Sequence, residues 1–308
     1  MISLVPLLTY IGILVFIVGC IRKAYKLWNT PIHVRWELYP VAHEKNKPYG
    51  GSYFEEFNWW THKREKSLMG EMMTMGEEIL LLKGVFENNK KMWYFSFPFH
   101  IGLYLLVVFL LSLIMESVIT LIGLPLQITE FFNSITVVSG ICGLILTSLG
   151  AVGLLLRRLF NRELKGYSTP QDYFNLLLIL SITTTGLIGW MTSEKLFDIL
   201  GNYALGIISF SPTASISDVS SWIISTILLF SFYLVYFPFT HMTHPIGKYF
   251  MYHQVRWNDE PNIAGGRLVK KIEEVLNYKI SWSAPHIKGE GKKTWVDVAT
   301  EEVDFDEK

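Results

Sequence analysis

An all-α fold built on a bundle of five transmembrane helices is predicted by three observations on this 308-residue chain. Half of the residues are hydrophobic, mean hydropathy is +0.31, and only 18% are charged, against roughly 25% in a soluble domain. Five stretches, near 3–21, 98–122, 134–157, 171–192 and 221–244, stay apolar for the ~20 residues a helix needs to cross hydrocarbon. Lys and Arg divide unevenly among the connections: twelve between the first two spans, four between the third and fourth, ten after the fifth, and Lys195 alone on the other side.

That bias marks the cytoplasmic face. It places the N-terminus outside and the C-terminus in the cytoplasm, as expected of a multi-pass protein of the cytoplasmic membrane. A formal net charge of zero conceals the segregation and gives no reason to expect a nucleic-acid partner.

Residues 1–22 carry the first span. Arg22, Lys23 and Lys26 follow it and no basic residue precedes it, the reverse of a cleavable secretory signal, so a retained helix is expected. Residues 23–97 form a cytoplasmic loop, and within it 67–91 reads as one amphipathic helix, with Met69, Met72, Met73, Leu80, Leu81 and Phe86 among Glu71, Glu77, Glu78 and Lys83. It lies on the membrane surface or beneath a partner. Residues 98–244 hold spans two to five, with Trp93, Tyr94, Trp190 and Trp222 at span ends, where amphipathic rings sit at headgroup level. Residues 245–308 form a cytoplasmic tail that ends in a solvated acidic run.

Two features inside the bundle bear on a cofactor. Pro238 removes a backbone hydrogen bond to the carbonyl of Leu234 and predicts a kink in span five. In span three, Gly140, Gly143, Gly150 and Gly153 make a flat face that a porphyrin or a neighbouring helix could enter.

Histidine enters the spans at three places only, His100 near the start of span two and His241 and His244 at the end of span five. An imidazole in hydrocarbon needs a partner, and a buried metal wants it neutral. Span two runs outward and span five inward, so all three lie at one depth near the cytoplasmic surface. Two imidazoles on separate helices at matched depth can clamp a b-type haem. His100 and His244 are the expected iron ligands, with His241 the rival to His244. Arg157, Arg158 and Lys248 stand near the level where haem propionates would meet the polar boundary. Cys20 and Cys142 are the sole cysteines, too few for a covalent haem attachment or a four-thiolate iron–sulfur cluster.

The Phe-His100-Ile-Gly opening of span two, and Phe-Pro-Phe with His244 closing span five, resemble the membrane cytochrome b (gamma) subunit of respiratory nitrate reductases. The resemblance implies that His100 and His244 ligate the haem nearest a cytoplasmic iron–sulfur partner. The family's second haem uses histidines at positions that here hold Leu110 and Thr226, so one haem b is implied. Segments 31–40, 50–56 and 248–261 are similar to gamma-like cytochromes that accompany heterodisulfide-reductase-like iron–sulfur subunits. This implies exchange of electrons with a quinone pool, menaquinone in particular, rather than work on nitrate. Quinone is then expected within the bilayer near His100 and His244.

Trp36, Tyr39, Trp59, Trp60, Trp257 and Trp282 are interleaved with charge on the same side, an enrichment suited to docking a partner or to packing the loops down. Among the aqueous histidines, His33 and His43, with Glu37, are candidate proton carriers; His62, His253 and His286 read as structural. Glu116, in the outer part of span two, is either a proton exit or an interfacial carboxylate. Three function classes follow: a haem b electron-transfer subunit, a haem-free anchor of such a complex, and a transporter or scaffold. The last would predict internal repeats or polar groups at mid-bilayer.

Overall fold

The computed structural model describes residues 4–32, 42, 57–63, 67–193, 195–212, 219–258, 260, 262–284, 287 and 289–301. The expected roles of His33, Trp36, Glu37, Tyr39, His43 and His286 lie outside these residues. The architecture is all-α, with five helices long and apolar enough to cross a membrane, and there is no β-strand among the described residues. Two compact units divide the chain: residues 1–20 with 73–242, and residues 21–72 with 243–308.

The first unit is organised around a long helical hairpin, α4 (Lys90–Ile122) and α5 (Leu126–Phe160). The Asn89 side chain accepts the Met92 N–H to start α4, and Gly123, at φ 70°, ends it by turning its own N–H onto the Ile119 and Thr120 carbonyls. Along the hairpin, small residues let the backbones touch. A Cβ on Gly102 would lie 2.4 Å from the Thr147 nitrogen, and one on Gly150 would lie 2.6 Å from the Phe99 Cα. Helix α4 therefore fills the glycine face of α5 at Gly143, Gly150 and Gly153, and of the two occupants expected there, the helix is the one observed.

Helix α7 (Pro170–Thr192) starts at a capping box between Thr169 and Asp172 and joins the core of Phe99, Ala151, Leu154, Leu176 and Ile179. Hydroxyls tie the remaining helices together. Ser148 donates to Thr183 across α5 and α7 (2.8 Å), and Thr226 donates to Thr185 between α9 (Ser221–Tyr236) and α7 (2.9 Å). Thr9 of α1 (Leu4–Trp28) bonds Ser231 of α9 at 2.9 Å and Tyr203 at 2.7 Å. Tyr203 belongs to α8 (Leu196–Ile208), an apolar helix between spans four and five that was not expected. Its signal was present in Leu196, Leu200, Tyr203 and Ile207, which fall on one helical face.

Four expected boundaries are corrected. Span two is the C-terminal part of a helix that begins at Lys90, and span three belongs to a helix of 35 residues. The segment 67–91 is two helices, α2 (Leu68–Leu80) and α3 (Lys83–Asn88), because Leu82 adopts left-handed backbone (φ 51°) between them. Pro238 does more than kink span five: α9 stops at Tyr236, and two short 3-10 turns, Phe237–Phe239 and His241–Thr243, follow. Between α5 and α7 lies α6 (Arg162–Tyr167), which with Arg157, Arg158 and Lys165 marks the basic end of this unit.

In the second unit, α10 (His244–Phe250) runs into a π-helical turn, Met251–Arg256. The Phe250 ring meets Trp28 edge-on at 6.3 Å, and Gln254 donates to the Trp28 carbonyl at 3.4 Å. Trp257 is buried against Tyr252, with ring centroids 4.9 Å apart. It packs the fold and is no docking surface, whereas Trp60 and Trp282 remain exposed. Helix α11 (Arg267–Leu276) buries Leu268, a bridge pairs Lys279 with Thr294, and Thr294 caps α12 (Trp295–Thr300) together with Asp297.

Candidate functional site

His100 lies two residues after Pro98, inside α4, and its position on the helix decides its chemistry. Nδ1 is 2.7 Å from the Ser96 carbonyl oxygen, one turn back. A carbonyl accepts only, so the proton sits on Nδ1 and Nε2 carries the lone pair. This is how a ligating histidine is held, its other nitrogen donating to a fixed acceptor. The ring is half-buried, edge-on to Phe99 at 5.4 Å and 6.4 Å from Tyr104. Tyr104 donates to the Ile79 carbonyl at 2.7 Å, which fixes that face of α4. The donor chemistry of His100 thus fits a haem iron.

His244 opens α10 in the second unit, followed directly by Pro245, and its side chain is exposed. Thr243, just before it, is buried and accepts from the Lys23 ammonium. Among the described residues no group of three or more His, Cys, Asp or Glu converges as a metal centre would; haem iron asks the protein for two axial donors.

His241 is engaged elsewhere. Its Nε2 faces α7, 3.3 Å from the Asn175 amide nitrogen and 3.4 Å from Asp172 Oδ1. The other Asp172 oxygen accepts from the Thr169 N–H and hydroxyl at 2.8 and 2.9 Å, and Arg158 stands 3.7 Å from it. Arg158 also donates to Ser168 at 2.8 Å, while its Nε is buried without a hydrogen-bond partner. Asn175, buried, accepts at Oδ1 from the Tyr236 hydroxyl at 2.9 Å. The structure therefore brings together His241 and Arg158 with three residues that sequence reasoning missed: Asp172, Asn175 and Tyr236. Asp172 is explained by the helix cap alone. Asn175 carried the available signal, an amide one turn inside an apolar helix with no cap to satisfy.

Arg157 lines an open cavity of about 440 Å³ with Phe95, Gly153, Leu156, Phe160 and Asn161. Lys248 sits 5.7 Å from the Tyr252 ring, which Arg256 also approaches at 5.2 Å. At the far end of the bundle, Glu116 accepts from the buried Thr136 hydroxyl of α5, so its carboxylate is held between helices.

The described residues thus form five helices long and apolar enough to cross a membrane, with the His100 imidazole tied to the Ser96 carbonyl inside the second of them. The nitrate reductase gamma subunit family matches residues 84–258, more than half of the chain, and the chain belongs to that family. It is also similar to the Hdr-like menaquinol oxidoreductase cytochrome b-like subunit of Archaeoglobus fulgidus, 22% identical over 271 residues, covering 78% of this chain and 75% of that protein.

Proposed function

We propose that this protein is the membrane cytochrome b subunit of a quinone-linked oxidoreductase complex in the cytoplasmic membrane, with its N-terminus outside and its C-terminus in the cytoplasm. It passes electrons between menaquinone and a cytoplasmic iron–sulfur subunit of the heterodisulfide-reductase-like type. His100 and His244 hold a single b-type haem, whose chemistry is one-electron transfer; Leu110 and Thr226 stand where a second pair of ligands would be.

The observation that carries the reading is the His100 Nδ1–Ser96 carbonyl contact at 2.7 Å, which fixes the tautomer with its lone pair on Nε2. Family membership and the name of the Archaeoglobus fulgidus relative support the cytochrome and quinol parts. Arg157 and Lys248 are the candidate cations for propionates, and Arg158 is turned to Asp172 and Ser168. Trp60 and Trp282 keep apolar surface available to an iron–sulfur partner, with the aqueous segments 27–92 and 245–285 as the docking region.

The test is a reduced-minus-oxidised optical spectrum with iron quantification on purified wild-type, His100→Ala and His244→Ala proteins. One haem per chain is expected, lost in each variant. Full haem occupancy in either variant would refute the ligand assignment, and a haem-free wild-type protein would leave a membrane anchor. Removing the tail after about residue 250 should leave the haem spectrum and stop quinol-driven reduction of the partner.

A further inference from the structure

The open cavity of about 440 Å³ at the basic end of the α4–α5 hairpin has a lining of two kinds. Phe95 of α4 with Gly153, Leu156 and Phe160 of α5 make apolar walls, and Arg157 and Asn161, four residues apart, make the polar part. Gly153 lets the Phe95 ring lie against α5, since a Cβ there would run into that ring.

The polar part offers donors. Asn161 Oδ1 accepts the Leu164 N–H at 3.0 Å to cap α6, which leaves its amide N–H groups for another partner. Arg157 is half-buried and carries five N–H donors. Among the described residues it makes no hydrogen bond or ion pair, whereas Arg158 beside it is held by Asp172 and Ser168. No carboxylate belongs to the lining among the described residues.

We infer that this cavity binds the phosphate of an anionic membrane lipid, with Arg157 and Asn161 on its oxygens and the first carbons of its chains against Phe95, Leu156 and Phe160. Three features select that ligand. Phosphate oxygens are acceptors only, and a guanidinium fork meets them in pairs. The lining has no carboxylate to pair an ammonium, so an anionic headgroup is favoured over a zwitterionic one. Leu156 and Phe160 are 47% and 80% exposed at the end of a helix apolar enough to cross a membrane, so the ligand that fits has an apolar part as well as a charge. Basic pockets beside the cytoplasmic ends of membrane helices are a general seat for anionic headgroups, and the volume falls in the range of about 300–1,000 Å³ usual for small-molecule sites. This assignment does not depend on the haem; it gives Arg157 to lipid and leaves Lys248 as the candidate for a propionate.

The test is native mass spectrometry of the full chain in detergent, titrated with dioleoylphosphatidylglycerol and, separately, with dioleoylphosphatidylcholine. The wild-type protein should hold the anionic lipid about tenfold or more tightly than the zwitterionic one. Arg157→Gln should remove that preference, and Arg157→Lys should recover part of it. Asn161→Asp keeps an acceptor for the Leu164 N–H, so α6 stays capped, but it puts a negative charge in the cavity and should also weaken retention about tenfold. Helical circular dichroism checks that each variant is folded. Arg162→Gln, which removes a cation of α6 outside the lining, should bind within about twofold of wild type. Equal losses in Arg157→Gln and Arg162→Gln would mean diffuse attraction to a basic surface and overturn the site. Displacement of the lipid by inorganic phosphate at equal concentration would make this a plain anion site, and loss of the haem band in Arg157→Gln with lipid retention unchanged would give the cation to a propionate. Either result also overturns the inference.

Discussion

Replacing Gly150 by Ala should cost this protein about 1–3 kcal/mol, the range for forcing extra volume into a packed interface. The added Cβ would lie 2.6 Å from the Cα, the nitrogen and the Cβ of Phe99, where ordinary van der Waals contact begins at 3.4 Å. The obstruction is backbone and cannot rotate away, so α4 and α5 must part by about 0.8 Å at this level. A gap of about 0.5–1 Å forfeits a quarter to a half of each contact it opens. Phe99 is the residue before His100, so the movement also reaches the proposed iron ligand. Unfolding in detergent, followed by helical circular dichroism against denaturant, reads the loss, and the haem band reads the displacement. Gly76→Ala is the control: nothing lies within 4 Å of its added Cβ, and helix propensity alone should make it neutral or stabilising by up to about 1 kcal/mol. Equal stability of the Gly150→Ala and Gly76→Ala proteins would refute the close-approach argument.

Two further outcomes are expected. Thr9→Val removes the hydroxyl shared by Ser231 and Tyr203 and should destabilise the bundle by about 0.6–1.7 kcal/mol, as interhelical hydrogen bonds in membranes do, with a smaller loss in the Tyr203→Phe protein, measured by the same unfolding assay. The Asp297 carboxyl is held below its usual range by the Thr294 N–H and hydroxyl, so its cap on α12 is complete above the ordinary carboxylate pKa and is lost as pH falls through the lowered one; hydrogen-exchange protection of residues 295–300 should fall over that window in wild-type protein and stay pH-independent in the Asp297→Asn variant.

The spans were legible because hydrocarbon leaves the chain no alternative: each apolar stretch must satisfy its own backbone hydrogen bonds, and composition alone marks it. Helix α8 escaped because its 13 residues are too short to cross, so the length criterion that found the others rejected it. The break between α2 and α3 rests on a left-handed Leu82, a conformation leucine seldom adopts and no local pattern announces. Glycine spacing on α5 identified a flat face but not its occupant, which depends on where Phe99 and Phe95 of α4 fall. His100 drew notice from rarity and depth, but its Nδ1 contact with the Ser96 carbonyl is visible only in the structure. Asp172, Asn175 and Tyr236 were not legible, since their meeting requires α9 to end at Tyr236 and the turn after it to bring His241 back against α7.

The two ends of the bundle carry different kinds of polar contact, and the difference bears on how many cofactors it can hold. Toward the end opposite the arginines the helices are joined by hydroxyls: Thr226 donates to Thr185 at 2.9 Å, and beside them a Cβ on Gly186 would lie 3.1 Å from Leu144 and 3.7 Å from Thr226. Helices α7 and α9 are therefore in contact at Thr226, the position that the resemblance to nitrate reductase gamma subunits implies for a second-haem ligand. A porphyrin there would have to displace that packing, and Leu110 offers it no donor. At the basic end Arg158, Asp172 and His241 meet, while at the far end the Glu116 carboxylate is held by Thr136 of α5.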